Sequence, residues 1–339
     1  ATGISASLSK GSTSNWSVAG SASVTTSTDD TRALLENTDV TGDVATPTAM
    51  GVQVVAYDRS VMGAGGGALS VSNGKGAAGV GAAISVVNAK GTTQALVYDG
   101  SVQQAHDLAV LALSAQKVVG VAAVGGVQTD ASSKGQLMGS FVYNHIGNTL
   151  TAGVRGDATV NLTGDLALQA GGAPTDATLD ALAGTQRSSA VTDYDMSSGS
   201  NGYTSEFKNA VGGESIVGVA GTLSASLGGN ATSLGMSYVH NDIRTTYDAE
   251  LDAGVTATGQ VSVTALSRAD IVGVSAGVGA TKGKFSGMGS ASVNLIGQRT
   301  QAQVTGGSVT AAGLALQSDT RGNSFALAGN LSFAVGGGN

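Results

Sequence analysis

Cysteine is absent from the 339 residues, proline occurs only twice (Pro47, Pro174), aromatic residues make up 4% of the chain and charged residues 12%. Without Cys there is no disulfide scaffold and no thiolate metal site, a composition compatible with a protein exported unfolded. Two prolines exclude collagen despite 53 glycines, because the triple helix needs Gly at every third residue together with abundant Pro. The charged share is half the usual ~25%, in a chain that is 41% hydrophobic, so the low-hydrophobicity, high-charge signature of disorder is missing too. Net charge is −7, with 16 basic residues scattered singly, and no basic footprint for a nucleic-acid backbone exists. No apolar run approaches the ~18 residues of a membrane-spanning helix; the longest lies between Val118 and Val127. No signal-peptide pattern opens the chain.

What the chain has instead is repetition. I-V-G-V-A-G at Ile216 recurs as I-V-G-V-S-A-G at Ile271, V-V-G-V-A-A at Val118 and V-M-G-A-G-G at Val61, with weaker copies at Ala1 and Ser324. The starts at 1, 61, 118, 216, 271 and 324 are spaced by 60, 57, 98, 55 and 53 residues, so one spacing is longer than the others by about 43. Each unit continues through a strand-like stretch to an Asn (Asn88, Asn144, Asn241, Asn294, with Thr25 in the first unit). An Ala comes next (Ala33, Ala95, Ala152, Ala249, Ala302), eight residues after the Asn in every unit but the second, where the interval is seven. The units close on alternating runs such as V-Q-V-V-A from Val52 and L-A-L-Q-A from Leu166.

Alternation of period two is a strand signature, and Gly costs roughly 1 kcal/mol per helical position relative to Ala, so the units are β. A unit this short cannot bury its apolar side alone and must stack on its neighbours, which makes the fold class an all-β solenoid of five to six repeats of about 55 residues. With strands of about five residues, one triangular coil takes roughly 21 residues, and a repeat then holds two or three coils. The inward residues are small, so Ala95, Ala152, Ala249 and Ala302 are expected in one inward row. The recurring Asn fits a corner, either as a ladder of stacked amides or as a plain turn residue.

Units such as G-V-G-A-A-I-S-V-V-N, followed by T-T-Q-A-L-V and L-A-L-S-A, resemble the repeats of large leukotoxin-like filamentous adhesins and related type V-secreted surface proteins. The resemblance covers 1–170 and 216–339. It implies a right-handed parallel β-helix displayed on the bacterial outer surface or secreted, non-catalytic, serving cell adhesion and virulence as a stalk or filament.

The long spacing places an inserted subdomain or loop at 171–215, between solenoid units at 1–170 and 216–339. Pro174, Thr175 and Asp176 ahead of Leu179 and Leu182 read as one capped short helix, and Ser205 to Val211 as a second. Between them, Asp193, Tyr194, Asp195, Asn201, Tyr203 and Phe207 form the candidate binding group: rings that a glycan or a host-cell surface protein can stack on, beside carboxylates. Asp193, Asp195, Ser197 and Glu206 resemble a calcium loop, but Gly falls one place late and the Glu two too far, so no cofactor is expected and calcium at this loop is the weaker alternative.

Other motifs are discounted. G-V-S-A-G at Gly273–Gly277 has the form of a nucleophile elbow, yet Ser275 aligns with Ala220 and Ala122 on a repeat strand. G-K-G-A-A-G at Gly74–Gly79 has no βαβ surroundings and reads as a turn. His106, His145 and His240 lack zinc spacing. Asp29, Asp30, Glu36, Asp39 and Asp43 form an acidic cluster that reads as an exposed corner, although a carbohydrate-active or carbohydrate-binding β-helix is the alternative function. An outer-membrane barrel is disfavoured by the low aromatic share. The chain also begins and ends at one phase of the repeat, from which a segment of a longer array with self-associating ends is expected.

Overall fold

The computed structural model describes residues 1–11, 15–42, 51–171 and 213–335. The first level of the fold runs through β1 (Thr2–Gly11), β2 (Trp16–Glu36) and β3 (Asp39–Thr41), and the second through β4 (Val52–Gly74), β5 (Ala78–Tyr98) and β6 (Ser101–Ala105). The third comprises β7 (Leu108–Gln128), β8 (Gly135–Arg155) and β9 (Thr159–Leu162). The fourth opens on β10 (Leu166–Ala170) and β11 (Glu214–Ser226), then takes β12 (Thr232–Asp252) and β13 (Gly254–Ala257). The last two levels are β14 (Gln260–Thr281), β15 (Phe285–Gly306) and β16 (Val309–Thr310), then β17 (Gly313–Ala334).

Equivalent strands pair parallel, level on level, into three sheets. A front sheet holds β1, β4, β7, β10 with β11, β14 and β17; a back sheet holds β2, β5, β8, β12 and β15; a short base sheet holds β3, β6, β9, β13 and β16. This is a parallel β-helix whose coils are long and flat: a strand of ~70 Å runs out, a tight turn reverses it, a second returns, and the base strand closes the coil. We call the turn end the tip.

One repeat is therefore one coil, and the expectation of two or three coils per repeat is corrected. The uninterrupted long strands of the front and back sheets have 21–23 residues, not five, because the glycines inside them stay extended and the alternation runs through them unbroken. Left-handed backbone recurs instead at the corner between the back and base sheets, at Asn37, Asp99, Gly156 and Gly307 (φ 47–75°), and elsewhere at Gln104, Gly76 and Gly171.

The interior changes character along the strands. At the base, Val54, Val97, Val102, Leu108, Leu150 and Leu168 belong to the apolar core that the three sheets enclose. Beyond it comes a polar layer, then a thin apolar layer of Val118, Ile146, Ile216, Ile243 and Ile271. Nearer the tip, small residues and hydroxyls surround a smaller apolar cluster that includes Val124, Met138, Val142 and Val239. There Ser70 Oγ donates to Ser17 Oγ (3.0 Å), Ser233 to Ser224 (2.6 Å) and Ser226 to Gln128 Oε1 (3.0 Å), all linking neighbouring strands.

The insertion interrupts a strand without disturbing it. Ala170 pairs with Ala112, and Ser215 with Lys117, so Gly171 and Gly213 lie two register positions apart and residues 172–212 occupy the place of the one residue between them. Glu214 and Ser215, expected inside the insertion, belong to β11. The two short helices expected there lie outside the described residues.

Candidate functional site

The polar layer forms the best-defined cluster of titratable groups. Alternation aims Asp58 and Gln116 inward from the front sheet, and the restart of the strand after the insertion does the same for Glu214. The back sheet answers with Asn148, Thr245 and Tyr247. Gly91 holds the place of Asn148 and Thr245 one level away, where a Cβ would come 2.9 Å from Asn148 Oδ1 and 3.4 Å from Asp58 Oδ2.

Glu214 is 1% exposed. Its Oε2 accepts hydrogen bonds from Thr245 Oγ1 (2.8 Å) and Tyr247 Oη (2.9 Å), and its Oε1 from Asn148 Nδ2 (3.1 Å). Burial pushes its pKa from 4.5 to about 7; the three hydrogen bonds oppose that shift and the charge of Asp58 adds to it. Asp58 accepts from Gln116 Nε2 at 2.6 Å and is raised by burial, with the hydrogen bond opposing and Asp29 adding. Tyr247 is pushed well above its ordinary range by burial and then by Glu214. The donors to Glu214 are all neutral, so no cation offsets its burial and the carboxyl holds its proton to higher pH than an exposed glutamate. Sealed between two sheets, the carboxyl cannot meet a glycosidic oxygen, and the arrangement suits proton storage better than attack on a substrate.

Ala95, Ala152, Ala249 and Ala302 share one register row with Ala33, and the first three are completely buried. Asn144, Asn241 and Asn294 also share a row and form a ladder: Asn144 Nδ2 donates to Asn241 Oδ1 (2.8 Å) and Asn241 Nδ2 to Asn294 Oδ1 (2.9 Å). The ladder runs mid-strand between the sheets, not at a corner. Asn88 is the exception: it pairs with His145, Val87 takes its place in the row, and the residue faces outward. The seven-residue interval to Ala95 is the cause, since the Ala rows align and the Asn is displaced by one, which in a strand reverses the face.

Asp193, Tyr194, Asp195, Asn201, Tyr203 and Phe207 lie outside the described residues, as do Glu206 and Asp43. No group of three or more potential metal ligands occurs among the described residues. His106 and His145 lie beside Asp107 (2.8 Å) and Asp242 (3.3 Å), and His240 stacks on Tyr143. Ser275 donates to Ser237 between the sheets (2.9 Å), with no imidazole in that bond. Asp30 pairs with Arg32 on the surface, whereas Asp29, expected at an exposed corner, reaches Asp58 electrostatically from an inward-phase position.

Glu214 and Asp58 were missed by motif reasoning because neither belongs to a motif. The readable signal was phase: a lone carboxylate at an inward position, two residues before the repeat Ile216. No protein-family model matches this chain, and no curated protein or solved structure matches it either.

Proposed function

We propose that this chain is a structural, adhesive stalk segment of a bacterial cell-surface or secreted filamentous protein, without catalytic activity of its own. The carrying observation is the continuity of the coil. The inward Ala row passes through every level of the back sheet, and the front sheet takes up 41 residues, 172–212, at the cost of one register position. A rod that tolerates such an insertion suits the display of a binding segment away from a surface, and this reading places contact with a host-cell protein or glycan on Asp193, Tyr194, Asp195, Asn201, Tyr203 and Phe207.

A carbohydrate-binding solenoid face is a second reading, favoured by the ring ladder of the back sheet. There Phe141 stacks on Tyr238 (5.5 Å, 13°) and Tyr143 on His240 (5.2 Å, 8°). These rings spend their faces on one another and turn edges outward, which weakens them as platforms for sugars.

The test replaces residues 172–212 by a single serine and compares adhesion to host cells and glycan arrays with the intact chain. Loss of adhesion with an unchanged melting transition supports the stalk reading. Full retention places binding on the solenoid, and turnover of acidic or neutral polysaccharides by either form overturns it.

A further inference from the structure

In the tip half of the coils the outer faces depart from the ordinary arrangement of a water-soluble β-structure. Over five successive outward rows of the front sheet, from that of Val119 to that of Val127, every position in β4, β7, β11, β14 and β17 is Gly, Ala, Val, Leu or Phe. The corresponding five rows of the back sheet, from that of Ala78 to that of Val86, carry no Asp, Glu, Lys or Arg, and expose Leu137 (56%), Ile84 (40%) and Met236 (63%). Between these two apolar skins lie serines, glutamines and asparagines together with a small apolar cluster that includes Val124, Met138, Val142 and Val239. The hydrophobic effect in water disfavours leaving both outer faces apolar around so mixed an interior.

The band has definite borders. Five rows span eight residues, or about 26 Å, matching the ~25 Å apolar band of membrane β-barrels, whose interiors are likewise polar. Past the tip border stand Lys10, Lys75, Lys134, Lys282 and Lys284 with Asp130 as the one acid, a net +4 on a chain of net −7. At the base border charge of both signs returns, with Lys117, Asp270 and Asp242. Seven of the ten aromatic residues among the described residues face outward in the band. Trp16, Phe285 and Phe333 line its tip border, while Phe325, Tyr143 and, one row inside, Phe141 and Tyr238 line its base border. Aromatic side chains collect at such levels where a protein meets a membrane interface. The low aromatic share of the whole chain concealed this segregation.

We infer that the tip half of the solenoid inserts into a lipid bilayer, lysines leading into the anionic headgroups and the two apolar skins facing the acyl chains. A second copy of the chain fits the observations less well: a partner docked on one sheet leaves the other bare, and accounts neither for the lysine-only cations of the tip nor for equal band heights on both faces. Insertion also sets a requirement. The outermost strands, β1 and β2 at one end and β15 and β17 at the other, each keep one backbone edge unpaired among the described residues. Hydrocarbon does not tolerate open edges, so coils of neighbouring copies must pair with them and insertion should steepen with protein concentration.

The experiment uses the intact chain with vesicles of phosphatidylcholine containing phosphatidylglycerol, read by flotation and by the fluorescence of Trp16, the sole tryptophan. We expect the protein to float, Trp16 emission to shift to the blue, and lipids brominated along their acyl chains to quench it. Leu223→Arg and Met236→Arg, one on each skin, should each lower partitioning about 30-fold or more. Thr149→Arg, outward on the charged base half, should not. Absence of flotation, or flotation with Trp16 neither shifted nor quenched, overturns the inference. So does a soluble oligomer that the two Arg substitutions dissociate. Should those variants misfold, quenching in the unsubstituted protein still decides.

Discussion

The base and the tip of the same coil follow different rules. At the base, Val54, Leu108, Leu150 and Leu168 lie inside, while Arg155 pairs with Asp248 (3.1 Å) and Glu250 (2.6 Å) outside. At the tip, hydroxyls and amides share the inside with small residues and a few apolar ones such as Val124 and Met138, while Val, Leu and Phe lie outside. Both halves belong to the same strands, share one register and use the same period of two, so strand geometry alone does not choose which face is apolar. The residues placed at each phase do: beyond the layer containing Glu214 and Asp58 and the thin apolar layer next to it, the outward positions turn apolar and the inward ones small or polar around a reduced apolar cluster. The base, with the larger apolar core, is thus expected to supply most of the hydrophobic stability of the coil in water, and the tip to rely more on backbone ladders and side-chain hydrogen bonds.

The largest expected effect tests that division. Leu168→Ala, at a site with no exposure in the base core, should cost about 2–5 kcal/mol of unfolding free energy by denaturant titration. A loss no greater than that of an exposed substitution would place the stabilising core elsewhere and remove the contrast between the halves.

The boundary layer supplies the next effect. With its pKa raised from 4.5 to about 7, Glu214 keeps its proton in the folded chain where the unfolded chain has lost it. Between those values the native state binds more protons, so stability falls as pH rises. The contribution is complete below about 4.5 and gone above about 7, a loss of roughly 3 kcal/mol at most. Asp58 shifts in the same direction and adds to the slope; Gln116, Asn148, Thr245 and Tyr247 are the other groups facing it. Glu214→Gln should flatten the dependence of the denaturation midpoint on pH. An equally steep dependence in that variant would assign the titration to another group.

Much of the base was legible in the sequence and little of the tip. The Ala row could be read because Ala recurs at one phase among residues that vary, and in the coil that phase meets a closed core. Coil length could not, because Gly63, Gly65 and Gly67 look like breakers to a propensity argument and become extended strand only through pairing with Val119, Val121 and Ala123 above them. Likewise V-G-V and the Asn some 23 residues later are separate motifs in sequence and one contact in space: a Cβ on Gly218 would come 2.5 Å from Asn241 Oδ1, and one on Gly273 2.7 Å from Asn294 Oδ1. The glycine of the repeat is the space that the amide ladder occupies. The carboxylate layer escaped because it joins residues from different levels, and no single repeat contains it.

That relation carries a mid-sized prediction. Gly218→Ala should overpack the ladder and cost about 1–3 kcal/mol, while Gly221→Ala three residues on, where a Cβ meets nothing within 4 Å, should be close to neutral. Equal effects would mean that the ladder yields freely and contributes no specificity to register.

The smallest expected effect is the one most particular to the tip. Leu223 and Met236 are 50% and 63% exposed, one on each skin, so replacing either by Ser removes almost no burial in water. Each substitution should leave the denaturant midpoint within the ~0.5 kcal/mol usual for surface changes, and solubility should rise as the apolar skin is broken. At Leu168 the same Leu→Ser change buries a hydroxyl in the core, with a penalty at least that of its Ala variant. The two outcomes together separate a skin that is bare in water from one already packed against copies of the chain, because the stability lost from a packed skin would rise with the logarithm of protein concentration. A loss above ~2 kcal/mol at Leu223 that grows with concentration would put the apolar faces inside a protein assembly, and the apolar exterior of the tip would then serve association of copies in place of contact with lipid.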